Sequence, residues 1–343
     1  MSVAIGVDSH KQTLAAAVVD QVGKELGSRV FPNDPKGHRR ALKWIASLPS
    51  GRVVGIECAG TYGAAFAWFL MERGEDVREV PAHQTFRERH RRRSAGKSDP
   101  VDAIAIARVV AREDHLPAPK QLGLVSDIRL LNDHREQLVR TRTQLANRCH
   151  RDLVILRPGY QTQVRSLRSK HHVRGALDLL AEDNSIRSEL ARARLEQMLT
   201  LNDEIYAVGK RIEALLKKTH TTLTQIDGVG TFVAATILGA VGDVARIRSR
   251  AAFASFAGTA PLEASSGMRK RHRMNRGGNR QLNRALHVVA KSQSRRLPQA
   301  RAFVGRKMEE GRSYKEALRC LQRHLTNVVY KTLVEDAQRQ QAA

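Results

Sequence analysis

The sequence predicts a mixed α/β domain at the N-terminus, then a pair of long helices, then a mainly helical C-terminal domain. Three observations support this order. Short apolar runs alternate with helical patterns over the first 120 residues, two long amphipathic patterns follow, and a pattern with Gly-containing turns begins near Thr221. Alternation of strands and helices is typical of α/β sheets with parallel pairing. We therefore expect three domains, at 1–120, 121–220 and 221–335.

The first domain is expected to open with an antiparallel meander of three short strands. The strand-length apolar runs lie at 3–7, 13–19 and 28–31. Gly23 lies in the turn between the last two of these runs. Alternating helices and strands follow at 38–48, 53–56, 62–73 and 77–80. A further helix, rich in Ala, Ile and Val, is expected to begin near Asp99.

The middle domain is expected to be a pair of long helices that resembles a coiled coil. Leucine recurs at every seventh position in the first pattern, at Leu124, Leu131, Leu138 and Leu145. That helix should span 126–156, and Pro158 and Gly159 break the pattern after it. The second helix, at 186–218, repeats apolar residues in steps of three and four, as packed helix pairs do. One interpretation is a stiffening hairpin, and the other is a spacer or oligomerisation arm that would support a homodimer or homotetramer.

The last domain begins with a pattern typical of a helix-hairpin-helix. A turn containing Gly228 and Gly230 precedes an apolar helix at 232–241. The amides of such a turn can bind a DNA phosphate, although glycines also serve any tight turn between helices. A basic loop at 265–283 and two more helices should follow, with a frayed tail after Asp336.

The composition indicates a polyanionic partner. Lys and Arg number 59 against 34 Asp and Glu, which gives a net charge of +25. Nucleic acid is the simplest partner, and an Arg-rich proteome is the other explanation. An apolar fraction of 41% excludes a wholly disordered chain, and no apolar run has the roughly 18–20 residues of a membrane span. Three separated cysteines and the lack of a signal-peptide pattern fit a reducing cytoplasm.

Four carboxylates stand where the predicted elements end or begin. Asp8 follows the first strand, Glu57 follows the strand at 53–56, and Asp99 and Asp102 open a helix on one face. Because such strand ends meet at one edge of a sheet, the four could share Mg²⁺, or Mn²⁺ in its place. Two such ions can assist phosphoryl transfer. The alternative is that Asp99 and Asp102 cap the helix and Asp8 is a turn residue.

Two basic stretches lie beside the candidate chemistry. The first leads directly to the acidic helix start and contains Arg89, Arg91, Arg92, Arg93 and Lys97. The second follows a Ser-Ser-Gly run and contains Arg269, Lys270, Arg271, Arg273 and Arg276. Such clusters suit a phosphate backbone, and a serine beside cations could attack a phosphodiester. A solvated charge run and an ordinary phosphate-binding loop are the alternatives.

Three acidic motifs resemble those of the DEDD insertion-sequence transposases, also known as bridge-RNA-guided recombinases, to which the pilin-gene invertase is related. The motifs are 6–11 (GVDSHK), 56–62 (IECAGTY) and 97–103 (KSDPVDA). The resemblance implies a RuvC-like first domain with an RNase H fold. It also implies that Asp8, Glu57, Asp99 and Asp102 form the metal-binding tetrad.

The C-terminal half carries the same resemblance. The matching runs are 226–230 (IDGVG), 256–258 (FAG), 266–267 (SG), 277–279 (GGN) and 282–286 (LNRAL). The resemblance implies that Ser266 is the nucleophile, with Ser265 as the neighbouring candidate, and that a noncoding bridge RNA pairs with donor and target DNA. It further implies a prokaryotic cytoplasmic protein associated with the nucleoid. Asn283 stands where the family often has Arg.

We expect a transposase that recombines DNA at specific sites through a covalent phosphoserine. One alternative is a RuvC-like nuclease or junction resolvase that uses water, with Ser266 only binding phosphate. Another is a non-catalytic nucleic-acid-binding scaffold. A sugar-kinase-like ATPase is disfavoured because no Gly-rich phosphate loop follows Asp8.

Overall fold

The fold was analysed in a computed structural model, which describes residues 2–91, 99–119, 123–263, 272–275 and 277–342. The chain divides into two compact units, Met1–Leu122 and Gly123–Ala343. The first holds a mixed five-stranded sheet and the second is mainly helical, so the coarse fold class is confirmed. Apart from residues 121 and 122, the middle and last predicted domains, 121–220 and 221–335, lie within the second unit. None of the described helices has the length and apolarity needed to cross a membrane.

The first unit is built on a sheet of strand order β3-β2-β1-β4-β5. The strands are β1 (Val3–Ser9), β2 (Thr13–Val19), β3 (Glu25–Pro32), β4 (Arg52–Glu57) and β5 (Val77–Val80). The first three form the expected antiparallel meander. The fourth strand pairs in parallel with β1, and the fifth pairs in parallel with β4. The carboxyl ends of three neighbouring strands therefore lie at the same edge of the sheet.

Four helices accompany this sheet: α1 (Pro35–Ala46), α2 (Ala64–Met71), α3 (Ala82–Arg91) and α4 (Asp99–Arg112). The first begins three residues before the predicted start. Its N-terminus is set by Asp34, whose carboxylate accepts the amide of Gly37, and by Pro35 at the first turn. Both residues are standard helix-start signals, and the apolar spacing alone missed them.

Helix α4 lies unusually close to β1, and glycine makes this approach possible. A Cβ atom on Gly6 would lie 2.2 Å from the carbonyl oxygen of Ala103 and 2.2 Å from the amide nitrogen of Ala107. Beside this contact, Ala15 and Ala17 of β2 form a small buried cluster with Ala103. Small side chains on both surfaces thus let the helix backbone rest on the strand backbone.

The second unit has a single core that extends from Ile128 to Leu333. Its helices are α5 (Leu124–Leu156), α6 (Lys170–Leu179), α7 (Ile186–Lys218), α8 (Thr231–Val241), α9 (Arg250–Phe256), α10 (Arg280–Arg296), α11 (Pro298–Glu309) and α12 (Tyr314–Ala342). Helices α5 and α7 pack along one another, as the apolar spacing predicts. A two-stranded ribbon, β6 (Pro261–Glu263) with β7 (His272–Met274), interrupts the helices.

Two expectations about the last third of the chain are wrong. Three helices follow the basic loop instead of two, because Pro298 begins α11 directly after α10 ends. The region after Asp336 is helical and anchored instead of frayed. The Asp336 carboxylate accepts hydrogen bonds from the Thr221 hydroxyl at 2.8 Å and from the Thr222 amide at 2.9 Å. Gln340 donates to the carbonyl of Thr219 at 2.7 Å.

The predicted helix-hairpin-helix also differs in its first element. The turn at 226–230 is preceded by a one-turn 3₁₀ helix, Leu223–Gln225, which follows the long α7. The helix after the turn is present as α8. The apolar pattern around Leu223 marks a buried contact, and it does not extend to a separate α-helix.

Replacing Asp336 with Ala should destabilise the second unit by about 2–3 kcal/mol, because the partly buried donors at 221–222 lose a buried acceptor. Burial opposes ionisation of Asp336, but the hydrogen bonds from Thr222, Thr221 and Arg339 prevail and lower its pKa. This carboxylate therefore stabilises the folded state at neutral pH, and that stabilisation is lost as the pH falls through its lowered pKa. Urea unfolding at pH 7 and at pH 3 measures both effects.

The matched control is Glu335→Ala, which removes the neighbouring exposed carboxylate of an i,i+4 pair with Lys331. That change should cost less than about 0.5 kcal/mol. Equal losses in the two variants would show that Asp336 does not anchor the last helix.

Candidate metal and nucleic-acid site

Two of the predicted carboxylates lie side by side at the carboxyl ends of adjacent strands. In the parallel pair of β1 and β4, Val7 is opposite Ile56. The next residues along the two strands are Asp8 and Glu57. Asp8 lies within β1, which extends to Ser9, and it is buried. This edge of the sheet is where open α/β sheets commonly hold their sites.

Asp102 approaches the same region from the first turn of α4. It is buried at 8% exposure, and the close contact of α4 with Gly6 fixes its distance from β1. Asp99 begins the same helix, but its side chain lies outside the part of the chain that the structure describes. The described structure therefore brings together three of the four predicted acids.

The three carboxylates influence one another electrostatically. Burial raises the pKa of Glu57, and the negative charges of Asp8 and Asp102 raise it further. The positive charge of Arg89 acts in the opposite direction. Like charges gathered in a partly buried place favour neutralisation by a proton or a cation. A positive charge at this edge of the sheet would therefore stabilise the three carboxylates.

Arg89 of α3 supplies one such positive charge. Its Nη1 donates to Oδ1 of Asp102 at 2.8 Å. The sequence predicts Arg89 as a nucleic-acid contact, whereas the structure places it on a carboxylate of the acidic site. No local pattern signals this ion pair, because 13 residues separate the partners. The pair arises from the packing of α3 against α4.

His10 is a second neighbour of the acids that sequence reasoning missed. Its Nε2 lies 3.2 Å from Oδ2 of Asp8, and its side chain is half exposed. The signal was present, since residues two apart at a strand end share a face. His10 thus places an imidazole nitrogen at the mouth of the acidic site.

The donor types at this site fit a hard divalent cation. The three described acids offer only carboxylate oxygens, which are the ligands that Mg²⁺ and Mn²⁺ prefer. Within the described ranges, however, no group of three or more His, Cys, Asp or Glu residues is arranged to hold a metal ion. With Arg89 on Asp102, the acids are assembled but do not form a closed ligand shell. The metal tetrad stays a prediction.

Most of the predicted basic contacts lie outside the described residues. In the first stretch, Arg92, Arg93 and Lys97 do so, and for Arg91 only the helical backbone is described. In the second stretch, Arg269, Lys270, Arg271 and Arg276 lie outside, together with Ser265 and Ser266. Arg273 belongs to β7 by its backbone. Their roles stay predictions.

The predicted phosphate-binding turn packs against α10. Gly228 has a φ of +81°, a conformation that glycine adopts without strain. The carbonyl of Asp227 accepts a hydrogen bond from Gln293 at 2.6 Å, which holds the turn on that helix. Gly230 precedes α8 and supplies no side-chain cap to the helix amides. The turn is thus well fixed, and its use as a phosphate site stays a prediction.

Two short glycine motifs, 256–258 and 277–279, meet beside the two-stranded ribbon of β6 and β7. A Cβ atom on Gly278 would lie 2.4 Å from the backbone of Gly258, so the two loops touch through their main chains. Asn283 donates from Nδ2 to the carbonyls of Ala257 and Gly258, at 2.9 and 3.0 Å. The asparagine therefore ties the 256–258 motif to α10.

Comparison with known protein families finds two matches that together cover most of the chain. A transposase model of the IS110 DEDD type matches residues 5–158. A model described as the transposase IS116/IS110/IS902 family matches residues 220–305. The first match contains the acidic site, and the second contains the glycine motifs and the serine run.

Individual relatives support the same grouping over nearly the full length. A protein of insertion element IS116 from Streptomyces clavuligerus is 26% identical, over 96% of this chain and 94% of its own. A protein of element IS900 from Mycobacterium paratuberculosis is 25% identical over 97% and 96% of the two chains. The pilin gene-inverting protein of Moraxella bovis is 24% identical over 96% and 95%.

A solved structure of T. thermophilus RuvC in complex with Holliday junction substrate also matches. Its identity is 20% and its TM-score is 0.25, over 31% of this chain and 90% of that chain.

Replacing Gly6 with Ala should destabilise the first unit by at least about 3 kcal/mol, because the new Cβ atom would overlap the backbone of α4. The control is Gly27→Ala in β3, where the added Cβ atom would find its nearest neighbour at 4.0 Å. Urea unfolding measures both variants. Similar stabilities would contradict the backbone contact that positions Asp102.

Proposed function

Because the chain belongs to the IS110-type family of insertion-sequence transposases, it is a DNA transposase or recombinase, and we propose a mechanism for it. In this proposal the first unit is a RuvC-like metal domain. Ser266 attacks a DNA phosphodiester with help from Mg²⁺, or Mn²⁺ in its place. A bridge RNA selects the donor and target sites.

The observation that carries the proposal is the assembly of Asp8, Glu57 and Asp102 at one sheet edge. Each of the three motifs contributes one of these acids, and they come from two strands and a helix that are distant in sequence. A capping role for Asp102 does not require the two strand-end acids to approach it. The raised pKa of Glu57 indicates that this site favours a positive partner.

Within this proposal, the chain's own residues hold and orient the phosphate. When bound, Mg²⁺ would stabilise the negative charge that develops on the phosphate oxygens. The Ser266 oxygen forms a bond to phosphorus, and the bond from phosphorus to the leaving strand's oxygen breaks. The proton lost by the serine balances the proton gained by the leaving hydroxyl. Because the phosphodiester energy is kept in the phosphoserine, the strands can be rejoined without ATP.

The basic stretches have a supporting role in the proposal. Guanidinium groups of the ribbon region, from Arg269 to Arg276, would hold the charged phosphate near Ser266. Arginines before α4 would bind the backbone that leads to the acids. The net charge of +25 supports a polyanionic partner such as nucleic acid.

RNA guidance and oligomer formation complete the proposal. Aromatic residues make up only 4% of the chain, which disfavours base recognition by stacking and favours contacts to shape and backbone. Sequence choice would then belong to a paired RNA. The long α5 and α7 supply an arm on which two or four protomers could assemble on DNA.

A covalent-adduct assay tests the mechanism. Wild type, Ser266→Ala, Ser265→Ala and Asp102→Asn are incubated with element-end DNA, the element's noncoding RNA and Mg²⁺, then separated on a denaturing gel. We expect a protein–DNA adduct in the wild type and in Ser265→Ala, and none in Ser266→Ala or Asp102→Asn. The Ser265→Ala variant is the matched control, since it removes the adjacent hydroxyl.

Other results would point elsewhere. Strand cleavage without any adduct in Ser266→Ala would refute the serine mechanism and support hydrolysis by water. Adduct formation that is independent of Mg²⁺ and of Asp102 would refute the role of the acids. Omitting the RNA separates guidance from chemistry, because guided recombination should then lose its site preference.

A further inference from the structure

A basic cavity of about 240 Å³ lies in the second unit, beside the C-terminal half of α5. Arg142, Arg165 and Arg168 line it together with His150, Asn147 and Ser166. Nothing in the proposed chemistry uses this cavity. Its lining is rich in hydrogen-bond donors and contains no carboxylate.

The segment that follows α5 forms one wall of this cavity. After α5, Gly159 adopts a φ of +84° and reverses the direction of the chain. Tyr160 is buried, and its hydroxyl contacts Nδ1 of His150, which fixes the ring at the cavity wall. Val164 and Leu167 are both buried in the core. Because these anchors are three residues apart, the arginines that directly follow each of them stay at the surface, beside α5.

The third arginine is held in place from α7. The Nη1 of Arg142 donates to Oδ1 of Asn202 at 2.8 Å, and the guanidinium is partly buried. Burial lowers the pKa of Arg142, and the positive charge of Arg168 lowers it further. The two guanidinium groups therefore interact unfavourably across the cavity. This arrangement costs free energy unless an anion is present.

Some neighbouring arginines have acidic partners, whereas Arg148 and Arg151 of α5 have none among the residues that the structure describes. Arg140 pairs with Glu136, Arg157 with Asp183, and Arg194 with Asp152. Among the residues that the structure describes, Arg142, Arg165 and Arg168 form no ion pair. Stiffening or solubility would be served equally well by paired arginines. Three guanidinium groups without an acidic partner line one cavity. Their planar sets of N–H donors suit an anion with several oxygens.

We propose that this cavity is a phosphate-binding site, in which Arg142, Arg165 and Arg168 hold a phosphate group. The assignment of that phosphate to a nucleic-acid backbone rests on the proposed function, whereas the site itself does not. The site lies beside α5 of the helix pair. A nucleic-acid strand bound there would contact the protein through its phosphates and not through its bases. The contact would contribute affinity and register without sequence preference.

The test compares two triple variants that lose the same charge. The first is Arg142→Gln, Arg165→Gln and Arg168→Gln. The control is Arg211→Gln, Lys218→Gln and Lys315→Gln, three exposed cations that do not line the cavity. One arm measures the thermal shift of the full chain with inorganic pyrophosphate. The other arm measures binding of a short RNA duplex and a short DNA duplex by fluorescence anisotropy over a range of salt concentrations.

Pyrophosphate should raise the melting temperature of the wild type and the control, and it should leave the cavity variant unchanged. The cavity variant should bind oligonucleotides about tenfold to a hundredfold more weakly, and its salt slope should fall by about 2–3. The control should change affinity by less than about threefold, since its charges are exposed and screened. A pyrophosphate response without any oligonucleotide effect would assign the site to a free phosphate compound. Equal behaviour of the two triple variants in both arms would overturn the site.

All of these measurements are made in EDTA, so they require neither the metal nor Ser266. Phosphate binding that persists when the adduct assay fails would refute the proposed mechanism and leave the cavity site intact. Adduct formation by the cavity variant, together with unchanged binding in both arms, would do the reverse. Circular dichroism of both triple variants establishes that each is folded.

Discussion

The contact between α4 and β1 is the constraint on which the acidic site depends. At Gly6 the helix backbone touches the strand backbone, and the alanines of β2 and α4 keep the neighbouring surface equally flat. The depth of this contact sets the distance of Asp102 from Asp8. Parallel pairing of β1 with β4 then sets the position of Glu57. The three acids of the predicted metal site are thus placed by main-chain geometry.

The second unit follows the same principle at a different place. Gly258 and Gly278 bring two loops into main-chain contact, and Asn283 fixes the carbonyls between them. The Asn283 amide makes two hydrogen bonds beside β6, to the carbonyls of Ala257 and Gly258. Thr326 of α12 adds a third connection through the hydroxyl of Thr259, at 3.0 Å. The 256–259 segment, which precedes β6, is therefore held by α10 and α12.

Local patterns in the sequence were sufficient for features that depend on local physics. The opening meander, the helix at 186–218 and the strand-end positions of Asp8 and Glu57 all follow from apolar periodicity. Features that join distant segments left no such trace. The ion pair of Arg89 with Asp102 depends on how two helices pack, and the helical end of the chain depends on Asp336 bonding residues more than 100 positions away. The cavity arginines were visible as charges, but only the turn at Gly159 brings Arg165 and Arg168 to Arg142.

The anchoring of Asp336 has a consequence for the order in which the protein forms on the ribosome. The segment at 219–222 is hydrogen-bonded to Asp336, Arg339 and Gln340 of α12. The second unit therefore cannot reach its final packing until more than 110 further residues have been synthesised and released. The first unit ends at residue 122 and can begin to fold early, since domains generally fold as units during synthesis. During synthesis the acidic site would thus exist well before the helical unit is closed, and the nascent chain would spend that interval with its long helices only partly covered.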